Sequence, residues 1–125
     1  MINKIFQIMN VTMSVYTIND VYGVSSYLSG DGVRLKFRRP LPIDSWHVLL
    51  KSMSELIERG LLNWEFDLTE LENPCSTDIG MWVTCVTRIN LKSGKLDFIV
   101  RKGAHVHMLL EFTRLIKIFD VVLVM

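Results

Sequence analysis

The chain predicts a single α/β domain in which helices pack on a mixed β-sheet. Three observations carry that expectation. Its 125 residues are of single-domain size. Its apolar positions switch repeatedly between a period of two and a helical period. No linker, internal repeat or low-complexity stretch divides it. Half of the residues are hydrophobic and 22% are charged, a balance able to bury a core.

Met1 to Asp20 reads as an extension. Ile2, Ile5, Phe6, Ile8 and Met9 approximate a helical face, whereas Val11, Met13 and Val15 alternate as in a strand. The domain proper is expected over residues 21–125. Tyr22 to Leu28 and Val33 to Arg38 suit two strands, joined by the turn Ser29-Gly30-Asp31-Gly32. In the second, Val33, Leu35 and Phe37 alternate with Arg34, Lys36 and Arg38, which gives a half-buried strand with a basic outer face.

Pro40 and Pro42 make a rigid connection to a helix that Asp44 or Ser45 is placed to cap. Trp46, Leu49, Leu50, Met53, Leu56 and Ile57 form its apolar face, and Gly60 ends it. Leu62 to Leu68 alternates as a strand. A polar segment, Thr69 to Pro74, leads to a second helix over about Ser76 to Leu91, with Ile79, Trp82, Val83, Val86 and Ile89 inward. Leu96 to Val100 is a buried strand. Ala104 to Leu115 is a third helix with Val106, Leu109, Leu110 and Thr113 on one face, and Val121 to Val124 is a last strand. The order is β-β-α-β-α-β-α-β, with about four to six strands and three or more helices in all.

Composition narrows the function classes. Lys and Arg total 14 against 13 for Asp and Glu, too balanced for nucleic acid to be the main partner. The longest apolar runs fall far short of the ~20 residues that span a bilayer, and the start of the chain lacks the pattern of a signal peptide. A cytoplasmic domain without membrane insertion is therefore expected. Cys75 and Cys85 make neither a disulfide framework nor a zinc site. His105 and His107 stand two apart, the wrong spacing for a metal pair on a helix, so surface or capping roles fit them better. No phosphate-binding glycine loop or nucleophile elbow is present, and Cys75 has no accompanying base. Neither an enzyme nor a cofactor is expected.

One stretch is more specific. Asp67-Leu68-Thr69 closes a strand, and Cys75-Ser76-Thr77-Asp78-Ile79-Gly80 opens the next helix. This resembles the signature of the STAS family (the fold of anti-sigma-factor antagonists): a strand ending Asp-Leu-Ser, then Asp-Ser-Ser-Gly-Leu-Gly at a helix start. Ser54 to Gly60 and the run Leu110 to Leu115 with Phe119 resemble the family's first and third helices. The resemblance covers most of the chain from Tyr22 onward.

It implies a STAS-like single domain that binds a protein. The family's phospho-acceptor serine falls on Ser76, and Cys75, Thr77, Asp78, Gly80 and Met81 become the partner-binding positions. The implied partner is an anti-sigma factor or serine kinase, in transcription regulation and signalling of bacterial type. A non-phosphorylated structural subunit, of a lipid ABC transporter or a stress-signalling scaffold, is the alternative. Two positions depart from the family: Cys75 stands for its Asp and Asp78 for its first Gly, which bears on kinase recognition more than on fold.

The residue types also admit plainer roles. Ser is a favoured N-cap, so Ser76 with Asp78 is good capping chemistry without any kinase. Trp82 is core if it lies on the buried stripe and an interface anchor if it points outward. Lys36, Arg38 and Arg39 form a basic patch whose default is a solvated strand face. Residues 1–20 are apolar enough to add an edge strand or a homodimer contact.

Overall fold

A computed structural model of the chain describes residues 17–30 and 32–125. The helix and strand expected within residues 1–16 lie outside these. Five strands form one sheet in the order β1 (Val24–Ser29), β2 (Gly32–Phe37), β3 (Asn63–Asp67), β4 (Lys95–Arg101) and β5 (Asp120–Val124). β1 and β2 are an antiparallel hairpin; β2 to β5 run parallel. Three helices, α1 (Ile43–Glu58), α2 (Ser76–Leu91) and α3 (His105–Phe112), fill the crossovers. Because the strand order only advances, right-handed crossovers put all three on the same face. The mixed α/β sheet expected from the sequence is the observed one.

The alternation in each strand explains the two layers. Phe37, Phe66 and Phe98 point inward from β2, β3 and β4 in an edge-to-face row at 5.0 and 5.5 Å. Trp46 of α1 stacks on Phe37 at 5.6 Å, and Trp82 of α2 meets Phe98 at 6.0 Å. Trp82 is therefore core and not an interface anchor. Such aromatics bury large areas and favour these offset or edge contacts. Ile18 also belongs to this core, and the Asn19 side chain bonds to Ser26, so residues just before the expected boundary pack with the domain.

Several local expectations change. α1 begins at Pro42 as N-cap, with no side-chain cap from Asp44 or Ser45; the fixed φ of −62° already sets the entry. Gly60 does end α1, in the left-handed region at φ +92°. Gly94 allows a close approach, since a Cβ there would sit 2.7 Å from the Leu62 carbonyl oxygen. The third helix stops at Phe112 and not at Leu115. Arg114 turns left-handed at φ 64°, and a short 3-10 turn, Leu115–Lys117, follows. The reversal brings Phe119 back to stack on Phe98 at 4.5 Å; Thr113, assigned to the apolar face, is exposed beyond the helix end. Val83, expected inward, is exposed, and Cys85 takes the buried position.

Candidate functional site

The C-terminal ends of the parallel strands carry the loops of interest. β3 ends in a turn held by its own side chain: Asp67 Oδ1 accepts from the Thr69 backbone N–H at 2.9 Å and from its hydroxyl at 2.6 Å. This is the local competition by which Asp stops a strand. Leu71 then dips into the core. Asn73 Oδ1 lies 3.0 Å from His105 Nδ1, which ties the loop to the first turn of α3. Between loop and helix lies a cleft of about 540 Å³, with Glu70, Glu72, Arg101 and His105 on its walls.

The first turn of α2 differs from simple serine capping. Cys75 is the N-cap and Ser76 the first helical residue. Asp78 does the fastening: its Oδ2 accepts from the Cys75 N–H at 2.8 Å, with the Cys75 thiol at 3.1 Å. Its Oδ1 accepts from the Leu41 N–H at 3.0 Å and from Trp46 Nε1–H at 2.9 Å. One carboxylate therefore joins the β2–α1 connection, α1 and the start of α2. A negative group in a first helical turn also complements the helix dipole.

The implied site residues consequently separate. Cys75, Ser76 and Gly80 are exposed, Thr77 and Met81 are half-buried, and Asp78 is 2% exposed. As a surface contact for a partner, Asp78 is corrected: it is an internal fastener. Packing accounts for an aspartate at this position.

Ser76 heads a surface stripe that sequence reading did not assemble. Ser76, Gly80, Val83, Thr87 and Leu91 recur at helical spacing, and all are exposed. None is charged; Asp78 and Arg88 are the only charged residues of α2. Thr84 and Thr87 spend their hydroxyls on the carbonyls of Gly80 and Val83, at 3.1 and 3.0 Å. An exposed helix face with so little charge is unusual, since such faces are normally polar. The missing signal was the near-absence of charge along α2, which reads in sequence like a buried helix.

The other singled-out residues are engaged elsewhere. Lys36 and Arg38 both bridge to Glu70 at 3.3 Å, and the Arg39 guanidinium lies 4.4 Å over the Tyr22 ring, so the basic patch is paired. His107 is buried, accepts from the Gly103 N–H at Nδ1 and sets Nε2 2.9 Å from Glu111. His105 is exposed beside Asn73. No group of metal-ligating side chains occurs among the described residues. Cys75 is an exposed free thiol; Cys85 is buried, and that burial pushes its thiol up to about 12. No described helix is long and apolar enough to cross a membrane.

No family model and no curated protein matches the chain. Among solved structures it is similar to a candidate anti-sigma factor antagonist from Thermotoga maritima. The likeness has a TM-score of 0.69 at 19% identity and covers 86% of this chain and 91% of that one. The fold of this chain is accordingly STAS-like.

Proposed function

We propose that this is a regulatory protein-interaction domain of the anti-sigma-factor-antagonist kind, which docks a protein through the start and outer face of α2. The observation that carries the reading is the uncharged, exposed stripe from Ser76 to Leu91, headed by a hydroxyl at a helix N-terminus. Such a face loses little on desolvation, because few polar groups must give up water. The fold shared with a candidate antagonist supports the same class of activity.

The partner in this reading is a cytoplasmic serine kinase or anti-sigma factor, and Ser76 is the switch. A phosphate there adds roughly −1.5 to −2 charges at neutral pH. First-turn N–H groups of the helix tolerate that charge within the domain, so the fold survives. An apolar partner surface does not tolerate it, and the complex weakens. The test uses a serine kinase or anti-sigma factor recovered with the protein from its native cell. Calorimetry should give tight binding for Ser76→Ala and at least tenfold weaker binding for Ser76→Asp. Equal affinities would remove the switch.

A second reading has its own support. By the resemblance to the STAS signature, Asp78 stands where a glycine is expected in the loop, and its carboxylate serves packing. That favours a constitutive structural subunit, with Ser76 unmodified. Co-purification of a membrane permease, with no phosphate on Ser76 by mass spectrometry, would select it.

A further inference from the structure

The two edges of the sheet are guarded differently. Along β1, the backbone groups of Val24 and Ser26 point away from β2. Val24 N–H is taken by the Val21 carbonyl at 3.1 Å, and Ser26 N–H by Asn19 Oδ1 at 2.8 Å. The segment before the hairpin thus takes the first two outward N–H groups of this edge. Along β5 no such cover exists among the described residues. The Val124 carbonyl accepts from Lys102 N–H at 2.7 Å, so Val124, Val122 and Asp120 direct their backbone groups to β4. Val121 and Leu123, one step out of phase, direct theirs to the open side.

That open edge also lacks the usual protection. Asp120–Val124 contains no lysine, proline or bulge, while Val122 and Leu123 are 45% and 41% exposed. Ile118, just before the strand, is 66% exposed. Its charge is polarised along its length: Asp120, beside Asp97, marks one end, and Arg101 and Lys102 mark the other. Asp120, Arg101 and Lys102 form no ion pair among the described residues.

We propose that a second copy of this chain occupies the edge, with the two β5 strands antiparallel about a two-fold axis at Val122. In that register Val121 of each copy faces Leu123 of the other, so every outward N–H and C=O of the pair finds an opposite number. Asp120 falls opposite Val124, whose neighbour across its own sheet is Arg101. The acidic end of each edge therefore meets the basic end of the other, and no like charges stand face to face. Val122 meets its own symmetry mate on the outer face. The result is a continuous sheet across two domains, with both guarded β1 edges outermost. Because a single strand pair is a small contact, the association is reversible.

Sedimentation of the full chain over a concentration series tests this. The expected result is a dimer that dissociates on dilution. Val122→Lys sets two cations opposite each other on an exposed position and should leave a folded monomer. Should that variant fail to fold, a second one still decides. In a Cys75→Ser background, Val122→Cys should form a disulfide-linked dimer on mild oxidation, since opposed non-bonded pairs lie within disulfide reach. A monomer at every concentration overturns the proposal, whatever else covers the edge. So does a dimer that resists Val122→Lys or gives no cross-link, because another surface then holds it. Neither outcome bears on Ser76, which lies on α2 and not on this edge.

Discussion

The two faces of the sheet are built from the same strands and hold together by different physics. On the helix side Phe37, Phe66 and Phe98 form a row at 1% exposure or less, closed over by Trp46 and Trp82. On the far side Arg34, Lys36, Glu65 and Asp97 line a shallow concavity of about 810 Å³. There Arg34 pairs with Glu65 at 2.7 Å and Lys95 with Asp97 at 3.6 Å. The inner face gains from water removed from apolar area, which does not depend on exact angles. The outer face gains only from screened attraction between charges that are already hydrated. Substitutions of similar size should therefore differ severalfold in cost between the faces.

The sharpest way to break that contrast is at Trp82. Trp82→Ala empties a fully buried site and should cost about 3–5 kcal/mol in urea unfolding followed by circular dichroism. Trp82→Phe should cost clearly less. The Trp82 indole N–H is buried with no hydrogen-bond acceptor, so phenylalanine removes an unsatisfied donor while it forfeits volume. If both variants lost equal stability, the indole N–H would have to be earning a contact that the geometry does not contain.

Asp78 tests whether a polar group within the helical layer follows the inner or the outer rule. Asp78→Ala strands the Leu41 N–H, the Trp46 indole N–H and the Cys75 N–H together. Unsatisfied buried donors cost about 1–3 kcal/mol each, partly relieved by water, so a total loss near 3 kcal/mol is expected. Asp78→Gly should lose as much and also loosen the start of α2. Protection of the Cys75 and Ile79 amides in hydrogen exchange would report that loosening.

Burial can be read without destabilising anything. Of the two thiols, Cys75 is exposed, whereas Cys85 is buried with its thiol pushed up to about 12. At neutral pH one thiol should react at once with an aromatic disulfide reagent and the other only as the domain opens. The sign of the alkaline effect follows. Cys85 is held neutral in the fold but ionises near the ordinary thiol value of 9.0 when unfolded. Its contribution to stability is therefore complete below about pH 9 and lost as pH rises towards 12. Cys85→Ala should flatten that part of the alkaline unfolding profile. Two thiols reacting equally fast would contradict the buried position.

How much of this was legible follows from the same contrast. Alternation and helical spacing report burial, so the element order, the inward Phe37 and the inward Trp46 could be read from the strand and helix periods. The end of β3 near Asp67 and the start of α2 at Ser76 were legible too, because turns and helix starts use local chemistry. What escaped was set by contacts far apart in sequence. Asp78 looked like a surface residue because its donors come from Leu41 and Trp46. Val83 looked like core because nothing in its own helix says which apolar face the sheet will take. The end of α3 escaped because a left-handed arginine, and not a glycine, makes the turn that returns Phe119 to Phe98. The guard on β1 was hidden for a similar reason, since Asn19 acts across a turn on Ser26. Asn19→Ala frees that edge N–H and should cost about 1 kcal/mol.

The outer face should yield the smallest response. Glu70 accepts both Lys36 and Arg38 at 3.3 Å, the densest pairing on that face, yet its side chain is nearly half exposed. Glu70→Gln keeps the shape and removes the charge. Exposed pairs are worth roughly 0.2–1 kcal/mol, so the loss should fall below ~1 kcal/mol and shrink further at high salt. A double-mutant cycle with Lys36→Met isolates the pair from the individual side chains. Thermal unfolding at low and high ionic strength gives the discriminating number. A coupling that is large and indifferent to salt would mean that these charges are shielded from water, and the outer face would then have to be covered in the native assembly. A small, salt-sensitive coupling leaves it as the hydrated side of a sheet whose stability resides on the other.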